Sequence, residues 1–180
     1  MATWNIDTTH TNVAFSIRHM MVATVRGQFA NVTGSVNFDP QNLAASSVEA
    51  TIDASTINTG VGDRDNHLKS PDFFDVANNP TLTFKSTKVE VTGENTAKIT
   101  GDLTIRGTTR PVVLDTEFNG QFKDLYGNQR VAFSSKTKIN REDWNLTWNV
   151  ALETGGWLVG KDISIDLDVE AVLVSENVTA

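Results

Sequence analysis

Few side chains in this sequence are equipped to do chemistry. The 180 residues contain no cysteine and three histidines, His10, His19 and His67. Without cysteine there is no thiol nucleophile, no disulfide framework, no thiolate zinc site and no iron–sulfur cluster. A histidine-based zinc site would need these imidazoles to converge with a carboxylate. The densest polar run, Asp63-Arg64-Asp65-Asn66-His67, offers spaced oxygen donors and one imidazole. It lacks the turn glycine and terminal bidentate glutamate of a calcium loop. Helix capping and loop hydrogen bonds are its expected use, with Asp63 as the cap of a short helix over Arg64–Lys69; no metal is expected. No Gly-x-Ser-x-Gly elbow, Gly-x-Gly-x-x-Gly turn or Walker loop occurs. His19 falls on the apolar side of an alternating segment, which suits a core or pocket imidazole.

Aromatic residues say more. Phe15, Phe29, Phe73, Phe74, Phe84, Phe133, Trp144 and Trp148 are spread along the chain. Each taken alone reads as core packing. Together, rings at the mouth of a closed sheet would line an apolar cavity. Trp144 and Trp148 bracket Asn145-Leu146-Thr147, which as a strand would put both rings on one face. Phe73-Phe74 are neighbours in a loop and hard to bury together, so a lid over an apolar cavity is their expected role.

The elements that must position these rings are strands. Thr and Val number 23 and 19, and both are β-branched and stiff at χ1. Period-two alternation recurs: Val13/Phe15/Ile17/His19, Val32/Val36/Phe38, Val48/Ala50/Ile52 and Leu82/Phe84. It continues through Ile99/Leu103/Ile105, Val112/Leu114/Phe118, Val131/Phe133/Ile139 and Ile163/Ile165/Leu167/Val169. Each series faces a polar one, so each strand has a core side and a wet side. About eight strands joined by turns such as Gly93-Glu94-Asn95 and Tyr126-Gly127-Asn128 read as an all-β, meandering antiparallel sheet. A sheet this large must split into a sandwich or close into a barrel. Gly60–Pro80 alone breaks the alternation, with the short helix stopped at Ser70-Pro71. Nothing divides the chain, so residues 1–180 read as a single domain.

Composition narrows the partners. Fifteen basic against 22 acidic residues give a net charge of −7, opposite to a nucleic-acid binder, so no nucleic-acid partner is expected. No apolar run approaches the length of a membrane-spanning helix. The start, Met1-Ala2-Thr3-Trp4, shows no leader pattern. A cytoplasmic protein is expected, or a periplasmic one if the chain is a mature or trimmed form.

The motifs resemble one family over nearly the whole chain and in order. Asp63-Arg64-Asp65-Asn66-His67-Leu68-Lys69-Ser70-Pro71-Asp72-Phe73-Phe74-Asp75-Val76 is similar to the signature of the YceI-like lipid/polyisoprenoid-binding family. The likeness continues in Pro80–Ser86, Gly101–Gly107, Ile139–Trp144, Glu153–Gly156 and Leu158–Gly160, and in the opening Trp4-Asn5-Ile6-Asp7 with His10. The resemblance implies an extended, lipocalin-like antiparallel β-barrel with a helical insertion and an elongated apolar tunnel. It further implies a bacterial protein that binds polyprenyl or quinone-type amphiphiles.

Strand phase then nominates inward-facing residues: Phe15, Ile17, His19, Phe84, Leu103, Ile105, Phe133, Trp144 and Ile165, with Leu68, Phe73 and Phe74 near the insertion. Each buried methylene of a ligand contributes on the order of 0.8 kcal/mol, so a long isoprenoid needs no covalent or catalytic help. An anionic head would need local cations, for which Arg18, Arg64, Lys69, Arg106 and Arg110 are candidates; a neutral head would need none. The expected function is a non-enzymatic carrier for transport, storage or stress protection, with no catalytic residues and no cofactor beyond the bound lipid. Two alternatives stand beside it. One is a lipid-acting hydrolase or isomerase with His19 or His67 beside a carboxylate in the pocket; the other is a barrel filled by its own side chains. Sheet edges and an apolar mouth also allow a homodimer.

Overall fold

The computed structural model describes residues 1–174. Ten strands form: β1 (Ala2–Ile6), β2 (Asn12–His19), β3 (Ala23–Phe29), β4 (Val32–Phe38) and β5 (Ser47–Asp53). These are followed by β6 (Thr81–Val91), β7 (Thr96–Ile105), β8 (Thr108–Lys123), β9 (Gln129–Asn140) and β10 (Val159–Leu173). One helix, α1 (Gly62–Lys69), lies between β5 and β6. From β4 to β10 every strand pairs antiparallel with the next, and β1 bonds to both β4 and β10. Eight strands therefore close a ring, which removes the open edges that an antiparallel sheet of this size would expose.

The remaining two strands extend one end of that ring. β10 is long enough to hold two partners in succession. Its C-terminal part pairs with β1, Ile6 against Ala171, and its N-terminal part pairs with β2, Phe15 against Ile165. β3 pairs with β2 in turn. Beyond the ladder its Gln28 exchanges main-chain hydrogen bonds with Asn58. The segment carrying α1 is thus tied to the barrel beside β3.

β1 and β3 lie outside the expected alternating series. β1 is too short for periodicity to speak. In β3 the inward series is Val25, Gly27 and Phe29, broken by a glycine that the packing requires: a Cβ at Gly27 would run into the ring of Phe15. Two further expectations are corrected. Asp63 does not cap α1; Val61 occupies the cap position with no side-chain hydrogen bond, and Asp63 lies in the first turn. The carboxylate that ties this region down belongs to Asp65, which accepts from the Thr59 N–H (2.8 Å) and hydroxyl (2.6 Å). Nor do Trp144 and Trp148 share a strand face. Arg141–Trp144 is a 3-10 turn closed by Asn145 in left-handed backbone, φ 61°, so the chain leaves the sheet between the two rings. The stop at Ser70 is as expected, with Ser70 donating to the His67 carbonyl from both its N–H and its hydroxyl.

One part of the core lies at the end of the barrel away from α1. Trp4, Phe38, Val131 and Ala171 are buried there, and the Phe38 ring stands 5.1 Å from Phe118 and 5.4 Å from Phe133.

Candidate binding cavity

The inward faces of the strands do not fill the barrel. They enclose a cavity of about 570 Å³ walled almost wholly by apolar side chains, within the roughly 300–1,000 Å³ range of small-molecule sites. Along β10 its wall runs from Val159 to Val169. Ten residue-to-residue steps of about 3.3 Å each, tilted as barrel strands are, give roughly 25 Å along the axis. The cavity is therefore elongated, suited to a chain rather than a disc.

Eleven of the inward nominees line it: Phe15, Ile17, His19, Leu68, Phe73, Phe74, Phe84, Leu103, Ile105, Phe133 and Ile165. Trp144 does not, which corrects that expectation. Its ring is buried in the 3-10 turn, where the indole N–H donates to the Leu103 carbonyl (2.9 Å) and the ring faces a small cleft with Pro111 and Ile139. Trp148 faces the cavity instead. Its ring meets His67 edge-on at 4.6 Å and Phe73 at 5.4 Å, and His67 meets Phe73 at 5.1 Å. Phe74 reaches inward to Phe29 at 5.6 Å. The two adjacent phenylalanines of the insertion are thus both used, one beside the His67–Trp148 pair and one against the barrel wall.

Of the proposed head-group cations, Arg18 and Arg64 line the cavity; Lys69, Arg106 and Arg110 do not. Arg106 donates to the Phe73 carbonyl (3.0 Å) and Arg110 to the Asp143 carbonyl (3.1 Å), so both brace loops. Arg64 leans on Thr59, donating to its hydroxyl (2.7 Å) and carbonyl (2.8 Å).

Strand periodicity missed Arg141, because it lies in the 3-10 turn after β9. It is 2% exposed and forms part of the cavity wall. Its guanidinium donates to the carbonyls of Gly160 (2.7 Å), Leu146 (2.6 Å) and Trp148 (3.0 Å). Burial pushes its pKa down from the ordinary value. By holding residues 146 and 148 to the start of β10, it sets the Trp148 ring against His67.

His67 Nε2 lies 2.9 Å from Asp72 Oδ2. The pair sits at the rim: His67 lines the cavity and Asp72, half-exposed, does not. A second ionisable group lies outside the barrel at the opposite end. There Asp7, His10 and Glu170 bring three ligand-type atoms together, but Arg130 already supplies the positive charge by pairing with Asp7, Asp124 and Glu170. The Arg130 guanidinium holds the carboxyls of Asp7 and Asp124 well below the usual range. That cluster is an ion-paired clasp joining β1, β9 and β10.

A closed antiparallel β-barrel around an elongated apolar cavity, with a short helix packed at one end, places the protein among the lipocalin-like binding barrels. The chain belongs to the YceI-like family, whose domain matches residues 4–171. A UPF0312 protein of Staphylococcus epidermidis is 37% identical over 171 residues, covering 94% of this chain and 97% of the relative. Among solved structures, the YCEI protein of Campylobacter jejuni is 32% identical with a TM-score of 0.71, covering 86% of this chain and 88% of that one. A polyisoprenoid binding domain from Saccharophagus degradans shares the fold at 13% identity, TM-score 0.70, over 97% of this chain and all of that one. Among the described residues, no helix is long and apolar enough to cross a membrane.

Proposed function

We propose that this protein binds the chain of a long polyisoprenoid or related polyprenyl or quinone-type amphiphile inside the barrel and carries or stores it without chemical change. The observation that carries the reading is the cavity itself: about 570 Å³, elongated and apolar. Burial of a hydrocarbon chain there supplies binding free energy at about 0.8 kcal/mol per methylene. The same size argues against a barrel filled by its own side chains. Family membership and the shared fold with a polyisoprenoid binding domain point the same way.

The test is extraction of freshly purified protein with organic solvent and mass spectrometry of what is released, followed by titration of delipidated protein with a polyprenol. Stoichiometric uptake is expected. Recovery of no lipid together with no uptake overturns the reading. Ala97→Trp places an indole in the wall at the end away from α1 and should shorten the longest chain accepted while sparing shorter ones.

The His67–Asp72 contact favours a second reading, a lipid-acting enzyme using His67 as a base. His67→Ala separates the two. Loss of a turnover detected in the native protein, with binding kept, would establish the enzyme; a carrier shows no turnover before or after.

A further inference from the structure

The end of the barrel that carries α1 also carries an exposed apolar rim. Met20, Met21 and Val22 connect β2 to β3 and are 50%, 65% and 79% exposed. Met20 and Met21 both hold left-handed backbone, φ 52° and 63°. Tight connections between strands favour Asn, Asp or Gly in that region, because a Cβ there is crowded. The β7–β8 connection follows that rule at its second position with Arg106-Gly107. Two exposed methionines held at a conformational cost mark a demand that folding does not make. The rim continues onto the neighbouring loop. The Met20 N–H donates to the Leu158 carbonyl (2.7 Å), and the Leu158 N–H to that of Val150 (2.9 Å). Val150 and Trp157 are exposed beside them, while Leu158 lines the cavity. Outer patch and inner wall are one surface.

Charge selects the partner. No acidic residue occurs between Asp7 and Asp39, in a chain of 22 carboxylates and net charge −7. That stretch carries Arg18 and Arg26. Across the β2–β3 ladder Arg18 stands opposite Thr24 and Arg26 opposite Ser16, so the two arginines are diagonal neighbours on the face opposite Ile17 and Val25, with Arg18, near the end of β2, also bordering the cavity. Among the described residues neither is ion-paired. Glu153 is the single carboxylate of residues 145–158. An apolar tip backed by cations, with a tryptophan beside it, is the pattern of an interfacial lipid contact.

We propose that this rim docks on the surface of an anionic lipid bilayer. Met20, Met21, Val22 and Trp157 enter the headgroup boundary, and Arg18 and Arg26 rest on the lipid phosphates. The inference takes its cargo from the reading of the cavity above: a lipid passing between bilayer and barrel at this rim avoids crossing water.

The test is flotation of the full chain with vesicles of phosphatidylcholine alone and of phosphatidylcholine mixed with phosphatidylglycerol. Binding to the mixed vesicles is expected, falling with salt, together with a blue shift of emission that Trp157→Phe removes. Met20→Ser/Met21→Ser/Val22→Ser should weaken binding by about tenfold or more, and Arg26→Gln by about fivefold, with thermal melting unchanged because these side chains are exposed. Absence of vesicle binding, or binding indifferent to the triple variant, overturns the proposal. So does a wild-type dimer that the triple variant dissociates while vesicles are ignored, which would make a second copy the occupant. Polyprenol uptake measured on the same preparations keeps the readings apart. Uptake without docking overturns docking alone; docking without uptake overturns the cavity reading alone.

Discussion

Two arginines at opposite ends of the barrel are held in opposite ways. Arg130, at the start of β9, is neutralised by Asp7, Asp124 and Glu170, which clasp β1, the β8–β9 turn and β10 around it. Arg141, just past the end of the same strand, is buried against main-chain carbonyls and, among the described residues, pairs with no carboxylate. The surrounding packing follows the same division. Phe38, Val131 and Ala171 are buried near Arg130, with Phe38 forming cavity wall at that end, whereas Phe15, Ile17, Leu68 and Phe74 near α1 are half-buried and face the cavity. One end is built for closure. The other is built to hold an irregular segment open beside a space. Stability and function are therefore separable along the barrel axis, and that separation can be attacked from either end.

The largest effect is expected at the packed end. Phe38→Ala removes a ring, 3% exposed, that packs against Phe118 and Phe133 where the cavity wall is most tightly filled by aromatic contacts. A loss of about 3–5 kcal/mol follows, read as a fall in the urea midpoint with unchanged slope. A loss near zero would mean that this end is as loosely filled as the other.

Arg141→Ala comes next. It strands several buried carbonyls, each costing about 1–3 kcal/mol when unpaired, offset where the freed segment 145–150 swings out to water. A destabilisation of about 3 kcal/mol is expected, with loss of the Trp148–His67 contact visible as increased quenching of Trp148. Arg141→Lys restores one charge but not the spread of the planar fork, and should recover less than half.

Arg130 gives a pH signature instead. Asp7 and Asp124 have folded-state pKa values depressed by its guanidinium. Such groups stabilise the fold fully above the unfolded carboxylate value of about 3.9, and that contribution is lost as pH falls through the lower folded values. Denaturant midpoints should therefore be level from neutral pH down to about pH 5 and drop below pH 4. In Arg130→Met the neutral-pH midpoint is lower and the acid drop shallower. An equally steep drop in that variant would assign the acid sensitivity to other carboxylates.

The two ends were not equally legible in the sequence. Strand interiors announce themselves because a core on one side and water on the other impose period two, and that rule placed Phe84, Leu103, Ile105, Phe133 and Ile165 on the cavity wall. It works where the ladder is regular. Around α1 the ladder gives way to turns, and period two misleads: Trp144 and Trp148, four residues apart, were expected on one strand face and are separated by a left-handed Asn145. Arg141 carries no periodic signal, since its partners are carbonyls of Leu146, Trp148 and Gly160 that any residue types could supply. Long-range clasps such as Arg130 with Asp7 join residues distant in sequence, and nothing local records them. The helix was visible through its stop at Ser70-Pro71, but Asp63, the residue type best suited to capping, sits two residues inside the cap, in the first turn.

The smallest stability effect, and the sharpest functional one, is expected for Phe15→Ala at the open end. Phe15 touches Phe29 at 5.6 Å and otherwise faces the cavity. Truncating it enlarges a space that already exists, so the penalty for creating a new void is largely absent. The lost contact with Phe29 is worth about 1 kcal/mol, and the total stays under the value for Phe38→Ala. Ligand binding should respond in the reverse order. Phe15→Ala removes the larger wall area from the barrel interior and weakens polyprenol uptake, whereas Phe38→Ala, at a ring 3% exposed that lines the other end of the cavity, lowers stability more and uptake less. The measurement is a pair of urea midpoints and a pair of titrations on the same two variants. If the two substitutions cost equal stability and equal affinity, the barrel has one undivided interior and the contrast between its ends fails.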